Sequence, residues 1–129
     1  MIEGLEIHLM DKITEVALAN PRYGREAYLF LFKAINWATD RIGYPRHLSG
    51  EEFTRALIAY AREEFGDLAW CVFNEWGIFE TSDFGKIVFT LIESGLMHKE
   101  SEDSIEDFDD VLDIEKALKD PEFQPGIPF

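Results

Sequence analysis

Between Gly77 and Gly95 the chain has little conformational choice. The stretch TSDFGKIVFTLIE places Phe84, Ile87, Val88, Leu91 and Ile92 at i, i+3, i+4, i+7 and i+8, the spacing of one helical face. Gly77, directly after AWCVFNEW, sits where a left-handed residue closes a preceding helix, and Gly95 sits where one closes this helix. Two helices joined at Trp76-Gly77-Ile78 follow, each with an apolar face to cover. Thr81 or Ser82 is the expected N-cap of the second, with Asp83 adding a favourable charge. Leu96-Met97-His98-Lys99 then reads as a strand that opens a hairpin.

The residues before this unit supply its cover. Residues 3–19 read as a helix with a stripe of Leu5, Leu9, Ile13 and Val16, ended by Asn20-Pro21. Residues 24–41 read as a second helix, apolar on two faces through Tyr28, Leu31, Ile35 and Ala38 and through Phe30, Ala34 and Trp37. Such a helix belongs at the centre of a fold, although part of its surface is also suited to a partner or a second copy. Gly43-Tyr44-Pro45 makes a turn and Arg46-His47-Leu48 a short strand. Ser49-Gly50-Glu51-Glu52 is a capping box that opens a helix over 50–65, burying Phe53, Ala56, Leu57, Tyr60 and Ala61. A fourth helix spans 67–76 and a fifth 82–94.

After Lys99 the composition shifts. Residues 1–99 hold 15 acidic against 10 basic residues, a net of −5, whereas residues 100–129 hold 11 against 2, a net of −9. Phe108, Val111, Leu112 and Ile114 keep the acidic stretch from being a purely solvated tail. It reads as a return strand over 107–112 and a short helix over 113–119 capped by Asp113, with a single helix over 105–118 as the competing reading. The expected fold is mainly α, of the α+β class: one five-helix domain over residues 1–120, its acidic segment at 100–113, with a small C-terminal β-hairpin. Residues 121–129, with three prolines, form an extended tail that packs back on the domain.

The order helix, strand, three helices, acidic hairpin resembles a winged-helix domain over roughly residues 46–112, with its helix-turn-helix ending in a recognition helix at 82–94. The outward face of that helix would show Lys86, Phe89, Thr90 and Glu93. Base reading asks for Arg, Lys, Asn or Gln, and phosphate-touching wings are not acidic, so a DNA-binding regulator is disfavoured. The net charge of −14 points the same way. Separately, RYGREAYLFL, RHLSGEEF, AREEFGDLAWCVFNEWGIFETSDFGKIVFTLIESGL and EDSIEDFDDVLD resemble a family of small, uncharacterised bacterial proteins, over about residues 22–114. That resemblance implies a compact cytoplasmic protein of this length and carries over no functional residue.

Residues for chemistry are few. No Gly-rich phosphate loop, GxSxG elbow or HExxH pattern is present. Arg46, His47 and Ser49 precede a helix N-terminus, where an anion or small ligand can bind; Arg22 and Arg25 flank Tyr23 as a second basic spot. Pairing with the protein's own carboxylates competes with both readings. His98 lies beside Glu100, Glu102 and Asp103, a set that reads as a solvated acidic turn in preference to a metal site. Cys71, the single cysteine, reads as a buried hydrophobe in a reduced compartment. No signal peptide or membrane span is expected, and no cofactor. The leading expectation is a non-catalytic cytoplasmic interaction module. Phe89, Glu100, Glu102, Asp103, Asp109 and Asp110 would receive a basic protein partner or a second copy. The alternative is a small-ligand or anion binder, or an enzyme, using Arg46 and His47.

Overall fold

The structure, a computed structural model, describes residues 2–44 and 46–126, with side chains from residue 8 onward. The expected contribution of Leu5 and the terminal Phe129 therefore lie outside the described residues. Six α-helices are present among them: α1 (Ile2–Ala19), α2 (Arg25–Ile42), α3 (Gly50–Phe65), α4 (Ala69–Trp76), α5 (Thr81–Glu93) and α6 (Ile114–Lys119). Short 3-10 turns occupy Gly66–Leu68 and Ile105–Phe108. None of these helices is long and apolar enough to cross a membrane.

α2 is central, as its two apolar faces require. It packs against α1, α3, α4 and α5, burying Tyr28, Phe30, Leu31, Ala34 and Ala38. One contiguous core runs from Ile13 in α1 to Leu118 in α6, and Phe123 in the tail packs half-buried against it. Phe30 stacks on Tyr60 at 4.9 Å between ring centroids and meets Phe73 edge-on at 5.7 Å, tying α2 to α3 and α4.

No strand forms among the described residues, so the expected β-hairpin, the short strand at Arg46-His47-Leu48 and the α+β class are corrected to an all-helical fold. The reason lies in where the backbone donors go. Leu96 N–H bonds Leu91 O at 2.9 Å and Gly95 N–H bonds Ile92 O at 3.0 Å, with Gly95 at φ 81°; this is a Schellman closure of α5. Met97 N–H also turns to Leu91 O. On the other expected strand, Asp109 N–H bonds Glu106 O at 3.0 Å, and Val111 N–H bonds the buried Thr81 hydroxyl at 3.2 Å. Neither stretch keeps a free ladder of donors for the other. Without a hairpin the winged arrangement has no wing. The competing single helix over 105–118 is also absent, because Asp109 is extended and Asp110 adopts φ 48°.

Thr81 and Ser82 are not the cap of α5; Glu80 is, and Asp83 fastens the turn. Asp83 is 3% exposed, and its Oδ2 accepts from Phe79 N–H at 2.8 Å and Glu80 N–H at 3.0 Å. Its Oδ1 accepts a short hydrogen bond from the buried Tyr23 hydroxyl, with Arg22 Nη2 at 3.7 Å. Arg22 also donates to Gly77 O at 3.2 Å, so the α1–α2 loop is pinned to the α4–α5 turn. Burial, then the Asp83 hydrogen bond and charge, pushes the Tyr23 hydroxyl well above its ordinary range. Cys71, expected inside, is exposed on α4.

Removing the Tyr23 hydroxyl leaves the buried Asp83 carboxylate short of one donor. Tyr23→Phe is expected to lower unfolding stability by about 2 kcal/mol, read as a shift in urea midpoint at unchanged slope.

Candidate functional site

Two glycines bring the acidic segment against the helices. A Cβ at Gly85 in α5 would lie 3.0 Å from Ile105 O and 3.0 Å from Phe108 Cβ. A Cβ at Gly50, the first residue of α3, would lie 2.8 Å from Asp107 Cβ. The 3-10 turn at Ile105–Phe108 thus sits on α5 and on the start of α3 with no room for a side chain at either glycine. Phe108 enters the core at 5% exposure.

The carboxylates of this segment are largely structural. Asp103 Oδ2 accepts from Glu100 N–H at 2.8 Å, Asp107 Oδ2 from Ser104 N–H at 3.0 Å and Asp113 Oδ1 from Lys116 N–H at 3.0 Å. The last is the expected cap of α6. The Ser104 hydroxyl turns to Glu106, both accepting from its N–H at 3.4 Å and donating to its carboxylate.

With the segment seated, a half-enclosed cleft of about 430 Å³ opens between it, α2, α3 and α5. Phe32, Ile35, Asn36 and Thr39 of α2 form one wall, and Val88, Phe89 and Ile92 of α5 another. Leu48, Phe53, Leu96, Met97 and Phe108 complete the apolar lining. Polar groups gather on the side of the 46–50 loop and the acidic segment: Arg46, His47, His98, Glu100, Asp103, Ser104 and Asp107. A volume of a few hundred Å³, an apolar lining and a few convergent polar groups are the attributes of small-molecule sites.

The polar side is held together by its own ion pairs. Arg46 Nη2 bonds Glu52 Oε2. Glu52 Oε1 accepts from Ser49 N–H at 3.0 Å, and Ser49 Oγ accepts from Glu52 N–H at 3.1 Å, the expected capping box. Burial alone would raise the Glu52 pKa, but the hydrogen bonds from Arg46 and from Ser49 outweigh it and hold the carboxyl below its usual range. The same pairing raises Arg46. Arg46 Nη1 is buried and has no acceptor among the described residues. His47 Nε2 lies 2.9 Å from Asp103 Oδ1, and His98 Nε2 lies 3.7 Å from Glu100 Oε1. Among the described residues no three His, Cys, Asp or Glu side chains converge as metal ligands.

The expected site residues thus divide. Arg46 and His47, read as an anion site, and Phe89, Glu100 and Asp103, read as a partner surface, line one cleft. Phe89, expected to face outward, is half-buried as a cleft wall. Ser49 is not in the lining; its hydroxyl caps α3, and Glu52 already fills the helix N-terminus where an anion would sit. Glu102, Asp109 and Asp110 are exposed and outside the cleft. Sequence reasoning missed Asp107, Leu96 and Met97 as lining residues. The signal for the first was there: Ser104-Ile105-Glu106-Asp107 repeats the Ser-x-x-acid spacing of a capping box.

No protein-family model, no curated protein and no solved structure matches the chain. The chemistry of the site is therefore read from its own residues.

Two outcomes follow from this geometry. In Gly85→Ala the methyl meets Phe108 and a carbonyl oxygen at contact distances that real side chains avoid. The variant is expected to be destabilised by roughly 1–3 kcal/mol, despite the better helix propensity of alanine, as read by thermal unfolding. Glu52 has a lowered folded-state pKa, so its contribution is present above the ordinary carboxyl value and is lost as pH falls through the folded one. With the pair about one-third exposed and screened, Glu52→Gln is expected to cost about 1 kcal/mol at neutral pH. The gap to wild type should close in strong acid, measured by denaturant unfolding across pH.

Proposed function

We propose that the protein is a non-catalytic binding protein whose cleft between α2, α3, α5 and the acidic segment takes a small, largely apolar ligand with a polar end. The observation that carries the reading is the cleft itself. Its volume is about 430 Å³, its lining is mostly apolar, and its ionisable groups come from Arg46, His47 and residues 98–107. A ligand's apolar body would lie against Phe32, Ile35, Phe89 and Ile92, and its polar end would face Arg46, His47 and the carboxylates.

Chemistry on the ligand has less support. His47 and Asp103 are paired like a base and its orienting group, but the Ser104 hydroxyl is bonded to Glu106 and not to His47. Binding accounts for the arrangement without a nucleophile.

A second reading, attachment to a basic protein, draws on a different face. Phe79 is 51% exposed beside the half-buried Trp70, and Glu80, Asp110, Asp113 and Glu115 surround them. An aromatic patch ringed by carboxylates suits lysine or arginine side chains.

For the cleft, an uncharged solvatochromic dye such as Nile red is expected to bind wild type with about one site per chain. Asn36 is exposed at the cleft wall, so Asn36→Trp fills the space from a position that tolerates bulk. That variant should keep its unfolding midpoint and lose the dye signal. Equal dye binding by both would contradict the cleft as the site.

A further inference from the structure

The polar side of the cleft has a definite sign. Three carboxylates, Glu100, Asp103 and Asp107, face one guanidinium, Arg46, and two imidazoles, His47 and His98. Arg46 does not offset the three, because its charge is already matched by Glu52, which pairs with it and is not part of the lining. Three carboxylates exceed the two imidazoles whatever form these take, so the mouth is a net anionic ring around an apolar hole. Asp103 is the most telling member: its side chain is only 17% exposed, so its charge is weakly screened by water. Its oxygens accept from Glu100 N–H and meet His47, yet an ionised carboxylate has about four lone-pair positions and keeps capacity for a further donor. Among the described residues the Glu100 carboxylate has a loose partner, His98 at 3.7 Å.

An anionic ligand fares badly here. It could reach only the Arg46 Nη1 donor, because Glu52 already holds Nη2 and the α3 N-terminus, and it would face three like charges. A protonated amine meets the opposite situation. The chain's overall charge of −14 draws cations toward it at long range as well.

We infer that the cleft is specific for cationic amphiphiles: its ligand is an apolar chain or ring system ending in a protonated amine, seated between α2 and α5 with the amine against Glu100 and Asp103. The inference rests on the cleft being a binding site, and deepens that reading by fixing the charge of the ligand.

Three probes with the same tail and different ends test it: decylamine, decanol and decanoate, each below its aggregation concentration. Their competition against the uncharged dye is measured at low and at high salt. Decylamine is expected to bind at least about tenfold tighter than decanoate, with decanol between them, and the spread should shrink at high salt. In the double variant Glu100→Gln, Asp103→Asn, which keeps the turn acceptors, the preference for decylamine over decanol and decanoate should fall to within about threefold. Tighter or equal binding of decanoate would overturn the charge assignment and leave the cleft standing. An unchanged amine preference in the double variant would remove the amine from these two carboxylates. Binding of none of the three, or binding undiminished by Asn36→Trp, would overturn the cleft reading itself.

Discussion

At Gly85 the backbone of α5 runs against Ile105 and Phe108 so closely that a single methyl group would collide, and at Gly50 the first turn of α3 does the same with Asp107. This double contact shapes the rest of the site. The segment from Glu100 to Asp113 carries eight acidic residues in fourteen, and in isolation it would be repelled by the rest of an acidic chain. The magnitudes favour docking. Burying Phe108 is worth roughly 2 kcal/mol, and the carboxylate-to-backbone caps at Asp103, Asp107 and Asp113 hold the segment's own turns in the shape that docks. Repulsion between exposed like charges is smaller per pair and is screened at physiological salt. Docked, the segment becomes the fourth side of a cleft that α2, α3 and α5 alone would leave open.

The frame that receives it depends on a second fixed point. Asp83 is buried with its charge answered by Tyr23, Arg22 and two backbone N–H groups, and so fixes the turn from which α5 starts. Thr81, two residues earlier, reaches across to Val111 and holds the far end of the acidic segment. The start of α5 thus positions both the apolar wall of Val88, Phe89 and Ile92 and the segment opposite it.

The helices were legible because their signals are local. Apolar spacing, Gly77, Gly95 and the Ser49 capping box all act within a turn or two; α1 to α5 lie close to where these signals place them, and α6 follows the Asp113 cap in preference to the competing helix over 105–118. The hairpin failed for one local and one tertiary reason. Leu96-Met97 and 107–112 have strand-like composition, but the closure of α5 at Gly95, though legible, also takes the donors of Leu96 and Met97, and Thr81 takes that of Val111 from thirty residues away, which sequence spacing does not reveal. Arg46 and His47 read with Ser49 as one local spot, and Glu100 and Asp103 as part of a separate acidic surface. Their convergence on one cleft was not legible, because it follows from two glycines whose role shows only once the acidic segment is in place. Cys71 was misplaced since its apolar neighbours along the chain say little about which side of the short helix α4 faces water.

The most direct test of the docked acidic segment is a proton NMR measurement of the contact at Gly85. Nuclear Overhauser effects between the Gly85 α protons and the Phe108 ring, with upfield-shifted Gly85 resonances and slow amide exchange at Val111, are the predicted result. Random-coil shifts and fast exchange across residues 100–111, with no contact to Gly85, would leave the segment in solvent, remove one side of the cleft and contradict the site as described.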